Sequence, residues 1–231
     1  MPAQTERRVE VPGARVARWL AGFGERHGGA ELVLGNDSDD AVAGGRGPVP
    51  DGVTLLGADG ATAVLTSWPG EPPTTLADVP GWAHGPTDLV LILIRRGGYA
   101  VGRAHGADLT AHKSGTRYVQ SRTAAGGWSQ QRFARRRGNQ ADELVTAVVG
   151  HVVRILGEHA LPAAGTTPAG LVLGGDRALA AQVLEEPRLA VLAGLPRRSF
   201  HDVPDPRLRV LSDVLGRARG LQITLREPAA G

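Results

Sequence analysis

The stretch that most limits the fold is 88–94, Asp88-Leu89-Val90-Leu91-Ile92-Leu93-Ile94. Six branched aliphatic residues follow one another without a polar break. The run is too short for a core helix and shows no alternation, so it predicts a strand covered on both faces. Such a strand needs a layer on either side, which points to an α/β architecture. After a turn at 95–98, residues 99–105 alternate well enough for an antiparallel partner. A second turn at 106–108 leads to a third strand at 109–114, and 118–120 is a further extended piece. From Asn139 the period becomes helical. Ala141, Leu144, Val145, Val148, Val152, Ile155 and Leu156 make one apolar stripe, Asn139 can cap, and Asp142 and Glu143 sit in the first turn. Residues 170–175 read as a second buried strand ending in a glycine turn, with Asp176 capping a helix to about 184. A strand at 199–203 and a helix at 205–220 follow, and 221–225 is either a last strand or a packed tail.

The order from Asp88 onward is three strands, a loop, then helix, strand, helix, strand, helix. It describes a mixed sheet flanked by helices, an order found in ribonuclease-H-like domains among other α/β folds. Upstream lies a smaller α+β unit. Residues 1–11 are polar and read as frayed. Pro12 opens a helix with Val16, Trp19, Leu20 and Phe23 on one face, and Gly28-Gly29 closes it. A short strand at 31–35 precedes a Gly/Asp/Pro-rich loop to Asp51, and 53–56 with 61–66 reads as a hairpin around Gly57 and Gly60. Pro69, Pro72, Pro73, Pro80 and Pro86 mark a linker or crossing loop. The expected division is therefore 1–68, a linker at 69–86, and a second domain at 87–231.

Several functions are disfavoured at this level. There is no cysteine, hence no disulfide, thiol nucleophile or Cys-ligated metal. No apolar run approaches the ~18 residues of a membrane span and no leader pattern opens the chain, so a cytoplasmic protein is expected. His151 and His159 lie eight apart near one helix with no third ligand, so no metal is expected, nor any cofactor. The 170–175 turn lacks the glycine spacing of a nucleotide cradle and reads as a turn from sheet to helix.

Charge is distributed unevenly. The whole chain has a net charge of +3. Between 95 and 137 lie ten cations, Arg95, Arg96, Arg103, Lys113, Arg117, Arg122, Arg132, Arg135, Arg136 and Arg137, against one acid, Asp108, a local net of +9. The remaining 16 cations and 22 acids give −6. Without interleaved carboxylates, this segment reads as a polyanion-facing surface.

Within it, 122–138 has no apolar periodicity, and Gly126 and Gly127 permit backbone angles other residues avoid. A long loop of this kind inside a domain is expected to be functional. Gln130 and Gln131 do not titrate near neutrality. A glutamine can hold a water, or offer a backbone N–H to a developing oxyanion. Catalysis by placement suits an electrophile that is already activated, such as an ester. Arg132, Arg135, Arg136 and Arg137 follow at once and match an RNA backbone better than a small substrate. Ser129 has no identifiable base. Two other readings remain open: an RNA-binding factor without catalysis, and a nuclease acting at the tRNA acceptor end. For the nuclease, Asp88 and Asp108 are a poor start toward clustered metal-binding carboxylates.

The run from Gly126 to Arg137, Gly-Gly-Trp-Ser-Gln-Gln-Arg-Phe-Ala-Arg-Arg-Arg, resembles the Gly-Gly-Gln loop and Arg-Phe-Ala-Arg segment of archaeal and eukaryotic class-I peptide-chain release factors. It is more similar still to the release-factor-like peptidyl-tRNA hydrolases of ribosome quality control, in their actinobacterial branch. The resemblance spans about 89–225 and is strongest over 99–140. It implies a ribonuclease-H-like catalytic domain that hydrolyses the ester between nascent peptide and tRNA. The implied partners are the large ribosomal subunit with its rRNA and peptidyl-tRNA, with no DNA or membrane, and a monomer is expected. Aligned without gaps, the release-factor glutamine falls on Trp128. The looser Gly-Gly-Ser-Gln motif of the quality-control hydrolases matches Gly126, Gly127, Ser129 and Gln130 with Trp128 inserted. That favours Gln130, with Gln131 as the alternative. Arg132, Phe133, Ala134 and Arg135 match directly and imply RNA contact, to which Lys113, Arg117, Arg122, Arg136 and Arg137 are expected to add. No codon-reading or GTPase-docking domain is recognisable, so stop-codon termination is not expected.

Overall fold

A computed structural model of the chain describes residues 5–33, 52–116, 129–158 and 168–228, with 129–139 described as backbone. The chain divides into two compact units, Met1–Gly85 with Gly216–Gly231, and Pro86–Leu215.

The first unit is built on an antiparallel sheet of strands numbered in chain order: β1 (Thr5–Pro12), β2 (Glu31–Val33), β3 (Gly52–Leu56), β4 (Thr62–Thr66) and β10 (Gly220–Glu227). Their order is β1-β10-β4-β3-β2. Alternating residues of β3 and β4 are buried, as a one-faced sheet requires. Val11, Val53, Leu55, Leu65, Leu221 and Ile223 pack with Val16 and Phe23 of α1 (Val16–Arg26) and Val79 and Ala83 of α2 (Val79–His84). Gly28 and Gly29 end α1 with φ of 70° and 139°. His27 at that end is buried, with Nδ1 2.9 Å from Asp59 Oδ2 in the β3–β4 turn. This hydrogen bond, helped by the Ala61 N–H, holds the Asp59 carboxyl below its ordinary pKa.

Three expectations fail here. Residues 5–11 are not frayed, because β1 pairs with β10 from Thr5↔Glu227 to Pro12↔Gly220, and residues 1–4 lie outside the described residues. Its partner lies at the far end of the chain, beyond the reach of a local pattern. β10 itself, grouped by sequence with the second domain, inserts between β1 and β4 of the first unit. The proline-rich 69–86 segment contains α2, with Pro80 in the first turn, where its missing N–H costs nothing. Trp68 is buried, and its Nε1 donates to Ala218 O at 2.7 Å.

The second unit has the sheet order β7-β6-β5-β8-β9. The strands are β5 (Asp88–Arg95), β6 (Gly98–His105), β7 (Asp108–Thr116), β8 (Gly170–Gly175) and β9 (Arg197–Phe200). The first three are antiparallel, and β8 and β9 continue parallel to β5. The mixed sheet expected from the succession of elements is therefore present. Leu89 through Ile94 are at most 1% exposed. Val90, Ile92 and Ile94 pack with Tyr99, Val101 and the Leu144, Val148, Val152 and Ile155 stripe of α3 (Ser129–Glu158). On the opposite face α5 (Leu208–Ala218) approaches so closely that a Cβ on Gly102 would lie 2.9 Å from Leu211 Cδ2. Beyond β8, Gly175 has φ 87°, and the Asp176 carboxylate accepts from the N–H groups of Ala178 and Leu179 at 2.9 and 3.2 Å. That is the sheet-to-helix turn the sequence predicts, opening α4 (Arg177–Leu184).

α3 departs from expectation at its start. It begins at Ser129, ten residues ahead of the predicted cap at Asn139. The added turns are rich in Gln, Arg and Ala, strong helix formers. Extending an anchored helix needs no new nucleus and no apolar stripe, so periodicity could not reveal it. Only the part of the expected loop before Ser129 lies outside the described residues.

At the open end of β5, Arg103 is 5% exposed and grips Asp88 with two bonds, Nε to Oδ1 at 3.0 Å and Nη2 to Oδ2 at 2.8 Å. The pairing raises the guanidinium pKa further above its ordinary value. Removing one partner of such a pair strands the other's charge. Asp88→Asn should therefore destabilise the second unit by about 3 kcal/mol, read from the urea midpoint at constant m. Deleting residues 220–231 should unfold the first unit's sheet, read as rapid proteolysis within residues 5–66.

Candidate nucleic-acid interface

α3 supports the site. Its 30 residues make a rod about 45 Å long at 1.5 Å per residue. Leu144, Val148, Val149, Val152 and Ile155 bind it to the sheet. Gln130 lies about 21 Å along the axis from Leu144, in the first turn, with Gln131 beside it. The first-turn N–H groups of a helix have no partner within it, and the helix dipole is positive there. Arg132, Arg135, Arg136 and Arg137 occupy the next two turns. In the helical phase set by Leu144, Val148 and Val152, positions 132, 135 and 136 fall on the opposite side from the core stripe. Gly126, Gly127, Arg117 and Arg122 lie outside the described residues.

Lys113 is exposed on β7, in register with Val101. Two residues on, Gly115 makes room for the Tyr99 ring, since a Cβ there would lie 2.8 Å from Tyr99 Cζ. That ring also stacks on His151 of α3, with centroids 5.3 Å apart and planes at 22°. His151 Nδ1 in turn lies 3.2 Å from Nη1 of Arg154, which is exposed. A guanidinium only donates, so Nδ1 accepts and the neutral ring carries its hydrogen on Nε2. Burial first, then the charges of Arg154 and Lys113, push the His151 pKa below its ordinary value. The sequence treated this histidine only as an unsuitable metal ligand. Its role as a spacer between Tyr99 and Arg154 needed the strand pairing that brings Tyr99 under α3. Among the described residues no group of three His, Asp or Glu side chains could hold a metal. Asp88, weighed as a metal carboxylate, is engaged by Arg103.

The charge separation follows the units. The first carries 9 cations and 12 acids, a net of −3, and the second 17 cations and 11 acids, a net of +6. Among the described residues no helix is long and apolar enough to cross a membrane.

Residues 87–224, more than half of the chain, match the family of the Actinobacteria/chloroflexi VLRF1 release factor, and the chain belongs to that family. Solved structures with some likeness include the archaeal translation termination factor aRF1, with a TM-score of 0.39 and 14% identity over 94% of this chain and 68% of that one. Another is an archaeal protein with a TM-score of 0.30 and 11% identity over 87% of this chain and 62% of that one. No curated protein matches the chain.

The His151 environment has a consequence for stability. A base whose folded pKa is depressed binds fewer protons folded than unfolded, so stability rises with pH up to its ordinary value and is level above it. The His151 contribution should therefore be lost as pH falls below about 6.5, its unshifted value. His151→Gln should flatten the acid side of the melting temperature against pH, relative to the parent protein.

Proposed function

We propose that this protein is a peptidyl-tRNA hydrolase that frees nascent peptides from stalled ribosomes or large ribosomal subunits. The observation that carries the reading is membership of a release-factor family across the unit where Gly126, Gly127 and Gln130 lead into the first turn of α3. The order β7-β6-β5-β8-β9, three antiparallel strands then two parallel ones, supports a ribonuclease-H-like catalytic module over the second unit. The protein acts as a cytoplasmic monomer, needs no cofactor or metal, and contacts neither DNA nor membrane.

In this mechanism Gly126 and Gly127 allow the loop to enter the peptidyl-transferase centre. Gln130, or Gln131 in its place, holds a water against the ester carbonyl carbon. Attack forms the new carbon–oxygen bond, first-turn N–H groups meet the developing oxyanion, and the acyl–oxygen bond to the tRNA ribose breaks. The departing ribose oxygen takes up a proton, leaving a peptide acid and intact tRNA. No group with a shifted pKa is required, because the ester is already activated. Lys113, Arg117, Arg122, Arg132, Arg135, Arg136 and Arg137 hold the module on rRNA and tRNA phosphates.

The inserted Trp128 favours a second reading, a factor that binds the ribosome without cutting. Gln130→Ala should slow release from a stalled peptidyl-tRNA by about 100-fold, the effect of losing one placing group, while ribosome binding persists. Gln131→Ala measured beside it decides between the glutamines. Full release by both variants would exclude the glutamine mechanism, no release by the parent protein would favour the binding factor, and cleaved tRNA would identify a nuclease.

A further inference from the structure

We infer that Tyr99 is a positioning residue for the proposed hydrolysis: it sets the sideways angle at which α3 lies on the sheet, and so where the first turn of that helix stands. The inference rests on the hydrolase reading above and adds to it a residue far from the reacting atoms. Tyr99 is 8% exposed and touches two elements at once. On β7 its cross-strand partner is Gly115, where a Cβ would lie 2.7 Å from Tyr99 Oη, so a glycine is needed to leave the ring its place. On α3 the ring stacks on His151 with centroids 5.3 Å apart. The core stripe that binds α3 to the sheet, Leu144, Val148, Val152 and Ile155, is aliphatic throughout. Apolar burial is non-directional, so the stripe holds the helix down but resists rotation in the plane of the sheet only weakly. A stacked ring pair, by contrast, fixes a separation and an orientation. By helical phase His151 stands on one flank of the stripe, and Val149 and Leu156 on the other. Tyr99 is thus the stop on the β7 flank.

The length of α3 magnifies what happens at that stop. Leu144 is the first side chain of the helix to be buried among the described ones, at 3% exposed. With Leu144 as the pivot, His151 lies about 10 Å along the axis in one direction and position 130 about 21 Å in the other. A slip of about 1 Å at His151 therefore swings the first turn by about 2 Å. Where a reaction depends on placement, a displacement of about 1 Å can cost about 100-fold. A long cationic side chain can follow such a displacement and keep its phosphate, so binding tolerates what water placement does not.

The chain has no cysteine, so spin labels on Ser129→Cys and Gln182→Cys, at the start of α3 and on the exposed side of α4, report a single distance by pulsed electron resonance. Tyr99→Leu should shift or broaden that distance by about 2 Å. Without labels, the same substitution should slow single-turnover release from peptidyl-tRNA on large subunits by about 10- to 100-fold, at an unchanged half-saturating protein concentration. Gly115→Ala displaces the ring without removing it and should have both effects; it carries the test if Tyr99→Leu does not fold. Tyr99→Phe keeps the ring and should keep the parental distance and rate. Leu211→Ala, buried against the opposite face of the sheet, should lower the melting temperature and move neither quantity well below melting. A parental distance in both Tyr99→Leu and Gly115→Ala overturns the inference, as does a moved distance with parental release. An equal loss in Leu211→Ala also overturns it, since general destabilisation would then be the cause. A moved distance with no release by the parent protein would remove the hydrolase reading and leave Tyr99 as the stop that orients α3. Gln130-dependent release with an unmoved distance would do the reverse.

Discussion

The second unit depends on β5 having no polar face. Six aliphatic side chains, Leu89 to Ile94, are withdrawn from water, each contributing roughly 1.5–3 kcal/mol as an upper estimate. Together they outweigh any single polar contact in the unit, the Asp88–Arg103 pair included. Their burial requires cover on both sides of the sheet, and it is met by α3 over Val90, Ile92 and Ile94 and by α5 over the other face. The backbone of β5 must also be satisfied on both edges, which β6 and β8 do in opposite senses. The mixed sheet is thus a consequence of where β5 sits. So is the placement of α3, because the stripe that covers β5 belongs to the same helix whose first turn carries Gln130 and Gln131.

That coupling gives the site its character. A long helix clamped at one end delivers its other end without needing a core of its own there. The groups delivered are amides and guanidiniums, which place and hold but do not exchange protons near neutrality. The perturbed histidine of the unit, His151, lies in the clamp and serves the geometry of Arg154.

Much of this was legible in the residues, and the failures share one cause. The hairpin around Gly57 and Gly60, the buried runs at β5 and β8, the Asp176 cap and the stripe of α3 are local patterns, each readable within about ten residues. β1 was misread because its partner β10 is more than 200 positions away, and an edge strand with most of its described residues exposed has little pattern alone. α2 was hidden by prolines that mark linkers in general but start a helix here. The early turns of α3 carry no apolar stripe to detect. At the candidate site, the arginines, paired glycines and glutamines were plain in the sequence. The Tyr99–His151–Arg154 stack was not, since it depends on register between β6, β7 and a helix far away in sequence.

The sequence by itself determined the layered α/β class, the concentration of cations between 95 and 137, and the motif that carries the release-factor resemblance. These rest on residue type and short spacing, which act before any long-range contact forms. Only the tertiary structure decided that the last strand completes the first sheet and that the basic run continues as helix from Ser129. It also decided that Tyr99 of β6 stacks on His151 of α3. Each of these follows from pairing or packing between distant segments, whose free energy appears only once both surfaces are present.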